Sequence, residues 1–151
     1  MLNRSTLRQF LRERIPLSTA MAIEVVAANP DGVTLGAPLG PNINHRDTVF
    51  GGSAAAVAIL SAWGLLFLRL RDEYPDATIV IQRHMMRHLR PITGAFTSSS
   101  FLAEPGAWDR FVTTYRRRKM ARISVKASLR CGGEEVGELE AAFVALELNP
   151  A

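Results

Sequence analysis

Cysteine is all but missing: Cys131 is the only one in 151 residues. That excludes an internal disulfide framework and a cysteine-based zinc site. Cys131 carries no charge-linked signature of a nucleophile, and Gly132-Gly133 beside it reads as a turn. Aromatic residues make up 7% of the chain and are not interleaved with basic ones, which argues against a surface for single-stranded nucleic acid. The N-terminus, MLNRSTLRQFLRERIP, is charged and lacks an apolar core, so no secretory signal is expected and a cytoplasmic protein is. No Walker or dinucleotide glycine loop occurs, nor any internal repeat, linker or low-complexity segment. His84 and His88 are four residues apart but in a segment that reads as strand, with no third ligand; no metal site and no cofactor are expected. Ser98-Ser99-Ser100 has no base nearby in sequence and does not suggest a serine nucleophile.

The largest gap is in charge. From Thr48 to Leu68, 21 consecutive residues carry none. That is long enough to span a bilayer. The segment is nevertheless rich in small residues, among them Gly51, Gly52, Ser53, Ala54, Ala55, Ala56 and Gly64. The segments on either side read as strands with one apolar face that needs covering. A helix that is apolar all round is buried by wrapping a sheet about it. The stretch is therefore expected to be the core helix of a soluble protein, about residues 51–71, with no membrane partner.

The rest of the chain supplies the wrapping. A content of 48% hydrophobic and 21% charged residues is ordinary for a globular protein, and the length suits a single domain over residues 1–151. Leu7, Phe10 and Leu11 predict a short amphipathic helix over about residues 3–14, stopped by Pro16. AMAIEVVAANPDGVTLGAPL predicts two strands about an Asn29-Pro30-Asp31-Gly32 turn, Met21, Ile23 and Val25 lying on the first. A strand starts at Ala77, Pro91 interrupts it, and a further strand follows. Trp108, Phe111, Val112 and Tyr115 share one face of a small helix. Ile123, Val125, Ala127 and Leu129 alternate with polar residues, Gly132-Gly133 turns the chain, and a final strand, nearly all apolar after Leu139, is expected to be central. One long helix among antiparallel strands argues α+β.

The start of the long helix is the candidate site. The first amides of a helix lack internal partners and lie at the positive end of its dipole. Glycines at positions 51 and 52 leave those amides open to a ligand oxygen, and the amides of Gly52 and Ser53 are the expected oxyanion donors. Asn42, Asn44, His45 and Asp47 add amide groups, an imidazole and a carboxylate within one short loop. Asp47 or Thr48 could instead simply cap the helix. Phe50 adjoins the glycines, and Trp63 is either core filling or one wall of an acyl pocket.

The run APLGPNINHRDTVFGGSAAAVAILSAWGLLFL resembles the thioesterase family known as the YiiD C-terminal domain, a branch of the hotdog superfamily. The resemblance rests on Asn42, Asn44, His45, Thr48 to Ser53 and Trp63-Gly64, and extends over nearly the whole chain. It implies a hotdog fold: a curved antiparallel sheet wrapped round the central helix. It also implies a homodimer or dimer of dimers with active sites at the subunit interface, acting on acyl thioesters of coenzyme A or acyl carrier protein. Hydrolysis is the simplest activity it implies. Malonyl-acyl carrier protein decarboxylation, with a loop asparagine as key residue, belongs to the same branch, and a carrier-binding module without turnover is the third possibility. Hydrolysis needs a base, Asp47 or His45; decarboxylation needs Asn42 or Asn44 to hold an enolate. The net charge of +4 suits an acidic carrier or the phosphates of coenzyme A, with Arg83, Arg87, Arg90 and Arg117 as candidate contacts.

Overall fold

The computed structural model describes residues 2–148. Two short helices, α1 (Leu2–Arg14) and α2 (Pro16–Ala20), precede a strand pair, β1 (Glu24–Asn29) and β2 (Gly32–Ala37). A single 3₁₀ turn, Gly40–Asn42, leads to the long helix α3 (Gly51–Leu70). Then come β3 (Ala77–His88), β4 (Phe96–Leu102), α4 (Ala107–Arg118), β5 (Met120–Cys131) and β6 (Glu134–Glu147). The strands form one antiparallel sheet in the order β1-β2-β4-β5-β6-β3. This is the wrapped hotdog arrangement. The helix boundaries match the sequence reading within a residue, since Arg71 is the C-cap of α3.

One element departs from expectation. Met21 and Ile23 do not belong to the first strand, which begins only at Glu24. Pro16 ends α1 but then serves as the first residue of α2, where its missing N–H costs nothing. The Ser18 hydroxyl stands 2.7 Å from the Ile15 carbonyl and 3.1 Å from that of Leu11, closing the corner between the two helices. A five-residue helix carries too little periodicity to be seen in a sequence.

The long helix passes the length and hydropathy test for a membrane span, yet it is the core of the sheet. Val57, Ala58, Ala62, Leu65 and Leu66 are fully buried. The sheet meets them with Leu35, Val125, Leu129, Leu139 and Phe143. Small residues set the spacing: at Gly64 an added Cβ would lie 3.1 Å from Leu7 of α1. The join to β4 is polar. The Ser61 and Ser98 hydroxyls bond each other at 2.8 Å, and Ser100 donates to the Ser61 carbonyl at 2.8 Å, all three residues being buried. These serines thus fasten α3 to the sheet.

The central strands behave as their pattern predicts. Ile123, Val125, Ala127 and Leu129 are buried, Gly132 and Gly133 turn with φ of +58° and +82°, and β6 lies between β5 and β3. Phe111 and Tyr115 of α4 are buried, with Trp108 and Val112 packed beside them. By contrast β3 is an uncovered edge. Val80 is 41% exposed, Ile81 39% and Met85 67%. It also carries a bulge between Ile81 and Arg83, which reverses the facing of every later residue. Register against β6 therefore puts Ile79 and Ile81, then His84, Met86 and His88, on the helix side of the sheet, with Arg83, Met85 and Arg87 on the outer side.

Because the Ser98 hydroxyl has only Ser61 as partner among the described residues, Ser61→Ala should strand a buried donor. The expected loss is about 1–3 kcal/mol in urea unfolding with an unchanged m-value. A Ser61→Ala, Ser98→Ala pair should recover part of it.

Candidate active site

The loop before α3 is a small closed structure. Ile43 and Val49 form an isolated bridge, and Asn44 sits inside the turn between them. The Asn44 carboxamide oxygen accepts from the Arg46 N–H (2.8 Å) and the Thr48 N–H (3.2 Å). Its nitrogen donates to the Thr48 hydroxyl at 2.9 Å and to the Val49 carbonyl at 3.4 Å. Every polar atom of Asn44 is thereby engaged within the turn. Asp47 occupies the turn with φ of +63°, a conformation an aspartate tolerates better than most residues.

Asn42 ties that loop to the rest of the protein. It is 2% exposed, and its side-chain nitrogen donates to the carbonyls of Met21 (3.0 Å) and Pro38 (2.9 Å). Its backbone carbonyl accepts from the Phe50 N–H at 2.7 Å, while the Val49 N–H reaches the Ile92 carbonyl at 2.9 Å. The end of α2, the loop, the start of α3 and the chain beyond Pro91 are thus held to one another. The Asn42 side-chain oxygen is buried with no partner among the described residues.

Neither Asp47 nor Thr48 caps α3. The N-cap residue is Phe50, with no side-chain hydrogen bond to the helix. The open amides also differ by one residue from those expected. The Ser53 N–H already donates to the Phe50 carbonyl at 2.9 Å, as does that of Ala54 at 3.1 Å. Among the described residues, the Gly51 and Gly52 N–H groups have no partner, so they are the donors the helix offers to a ligand oxygen. The two glycines differ in how tightly their neighbours pack. A Cβ on Gly52 would collide with the Phe50 ring, and one on Gly51 would lie 3.4 Å from the Cε1 of His88.

His88 is the residue that sequence reasoning passed over. It ends β3, and the bulge at Ile81–Arg83 turns its imidazole toward the helix, against Gly51. The only available signal was its spacing from His84, which reads as a metal pattern on a helix and means little on a strand. The structure brings Phe50, the two glycines and His88 together, with Asn42 and Asn44 holding the chain that leads to them. His45, Asp47 and Phe50 are exposed there, as are Gly52 and His88.

Other candidates lie apart. Trp63 is twelve residues along α3, about 18 Å from Gly51 at the helical rise. There it packs in a three-ring cluster with Phe10 and Phe67 (ring centroids 5.4 and 5.1 Å away) and donates to the Ile79 carbonyl at 3.2 Å. The basic residues do not form one free patch. Arg87 pairs with Glu138 at 2.7 Å and Arg90 with Glu134 at 3.1 Å. Arg83 lies on the outer face of β3 and has no ion pair among the described residues. Arg117 belongs to the end of α4, whose Arg116 bonds the Tyr74 hydroxyl at 2.7 Å ahead of β3. That is the far end of β3 from His88, about 36 Å away along the strand.

Comparison with known proteins agrees with this architecture. A crystal structure of a protein of unknown function from Chlorobaculum tepidum superposes with a TM-score of 0.89 at 25% identity, covering 95% of this chain and 94% of that one. One from Shewanella oneidensis, described as a "putative thioesterase", superposes with a TM-score of 0.83 at 26% identity, covering 95% and 97%. A Pseudomonas aeruginosa protein described as a probable thioesterase shares the fold at 22% identity, with a TM-score of 0.81 and 94% of each chain covered. The model of the family described as "Putative thioesterase (yiiD_Cterm)" matches residues 4–147, and the chain belongs to that thioesterase family.

Proposed function

We propose that the protein hydrolyses acyl thioesters of coenzyme A or acyl carrier protein. The observation that carries this reading is the pair of unpartnered Gly51 and Gly52 amides at the start of α3, in a chain of a thioesterase family. Attack on a thioester carbonyl puts negative charge on its oxygen. Two fixed N–H donors at the positive end of a helix dipole are suited to hold that charge and need no reorganisation to do so. In this reading Asn42 and Asn44 act through the loop: their hydrogen bonds fix where Phe50 stops and the helix begins.

The reading includes a second copy of the chain. The helix start is exposed, and the neighbouring edge strand β3 presents an unpaired backbone together with Val80, Ile81 and Met85, with Leu89 just past its end. Long apolar edges of this kind are normally covered. Antiparallel pairing of β3 with the same strand of another copy would cover it and close the helix start from the partner's side. Arg83 would then lie near the junction, where the phosphate-bearing arm of coenzyme A or an acidic carrier could meet it.

Thiol release from acetyl-, hexanoyl-, dodecanoyl- and malonyl-thioesters, on coenzyme A and on carrier protein, tests the activity. Free thiol is the expected product. Conversion of malonyl to acetyl thioester without thiol release would instead make the enzyme a decarboxylase, and binding without either product would make it a carrier-binding module. Gly52→Val should displace Phe50 and obstruct the amides, lowering kcat by about 10²-fold with the fold intact by circular dichroism.

Two further variants test the supporting parts. Asn44→Ala should lower activity and speed trypsin cleavage after Arg46, since the turn loses its internal bonds; full activity would remove Asn44 from the site. Ile81→Lys should convert a dimer to a monomer in analytical ultracentrifugation and abolish turnover with it.

A further inference from the structure

We infer that His88 is the proton acceptor for the water that attacks the thioester. This deepens the reading of hydrolysis and rests on it. The imidazole is placed by the sheet. His88 pairs with Gly137 in the β3–β6 ladder, and the next two residues stay fixed because Leu89 and Arg90 both donate to the Val136 carbonyl (2.9 and 3.3 Å). Its ring borders the space beside Gly51: a Cβ there would lie 3.4 Å from Cε1 and 3.8 Å from Nε2. A carbonyl oxygen held by the Gly51 and Gly52 amides therefore puts its carbon, and a water approaching that carbon, within reach of a ring nitrogen.

The alternatives are less well placed. His45 and Asp47 are exposed in a turn closed by the Asn44 bonds, and no contact carries either toward the glycines. The carboxylates of β6 on either side of Gly137 are already engaged, Glu138 by Arg87, Glu135 by the Ser128 hydroxyl and Glu134 by Arg90.

The step balances without another reagent. The water oxygen bonds to the carbonyl carbon while a ring nitrogen of His88 takes one water proton. The tetrahedral intermediate collapses by breaking the carbon–sulfur bond, and the electron pair leaves on sulfur. The imidazolium returns its proton to that thiolate, giving the carboxylic acid, which ionises, and the free thiol.

The test uses His88→Gln and His88→Ala in the full chain, with hexanoyl-CoA as substrate. The expected result is a kcat about 10²–10⁴-fold lower with little change in KM, and partial rescue of His88→Ala by free imidazole. Near-normal turnover in His88→Gln overturns the inference, as does loss that imidazole fails to rescue in a folded His88→Ala protein. So does a loss of comparable size confined to Asp47→Ala or His45→Ala. A second measurement does not depend on turnover: the His88 ring resonance, assigned by its disappearance in His88→Gln, should shift when a non-hydrolysable hexanoyl-CoA thioether binds. A wild-type protein that releases no thiol from any thioester defeats the reading of hydrolysis, and with it the base role. The resonance then still reports on placement, and an unshifted signal in a protein that binds the thioether overturns that as well.

Discussion

An uncharged helix must be covered on nearly every side, and that requirement organises this protein. The first 18 residues of α3, Gly51 to Leu68, present no charge before Arg69, so no face of the helix prefers water. A curved six-stranded sheet covers most of it, α1 covers the flank around Gly64, and the Ser61–Ser98–Ser100 bonds hold helix and sheet at one spacing. Buried hydroxyls contribute little net stability when satisfied but cost much when unpaired. Their value here is positional: they fix how far along the sheet the helix lies, and hence where its first turn emerges.

The place where the first turn emerges is set by a second group of bonds. Asn42 links the end of α2 to Phe50, Asn44 closes the preceding turn, and Val49 bonds Ile92 just past the end of β3. Three separated parts of the chain therefore converge where the Gly51 and Gly52 amides point outward. Polar side chains that look like chemistry in a sequence, a run of asparagines before a pair of glycines, here use their hydrogen-bonding capacity on architecture. The unpartnered donors are on the backbone.

Much of this was legible beforehand and some was not, for identifiable reasons. The central helix, its glycine start, the Gly132-Gly133 hairpin and the buried face of β5 follow from local pattern: absence of charge, period-two alternation, turn residues. The position of His88 follows from none of these. It depends on a one-residue bulge between Ile81 and Arg83. In a regular strand the face that carries Ile79 and Ile81 would go on through Arg83, Met85 and Arg87. The extra residue exchanges the faces, keeping the arginines outside and turning His84, Met86 and His88 inward. The cue was present, since a strand whose inward positions change from isoleucine to arginine is one in which a bulge should be suspected. The shift of the free amides from Gly52 and Ser53 to Gly51 and Gly52 was likewise not readable, because it depends on Phe50 making a tight first-turn bond to Ser53.

The same strand joins the question of assembly to the question of activity. β3 is exposed along the stretch that leads to His88, and the helix start beside it is open to solvent. An oxyanion site works best in surroundings from which water is excluded, because its donors then act in a low dielectric. A single chain does not give its glycine amides such surroundings. In the proposed dimer, pairing at the β3 edge would do two things in one step: satisfy the unpaired ladder, and enclose the amides and the imidazole. That coupling offers a physical reason for a thioesterase of this form to leave so apolar an edge uncovered on the single chain.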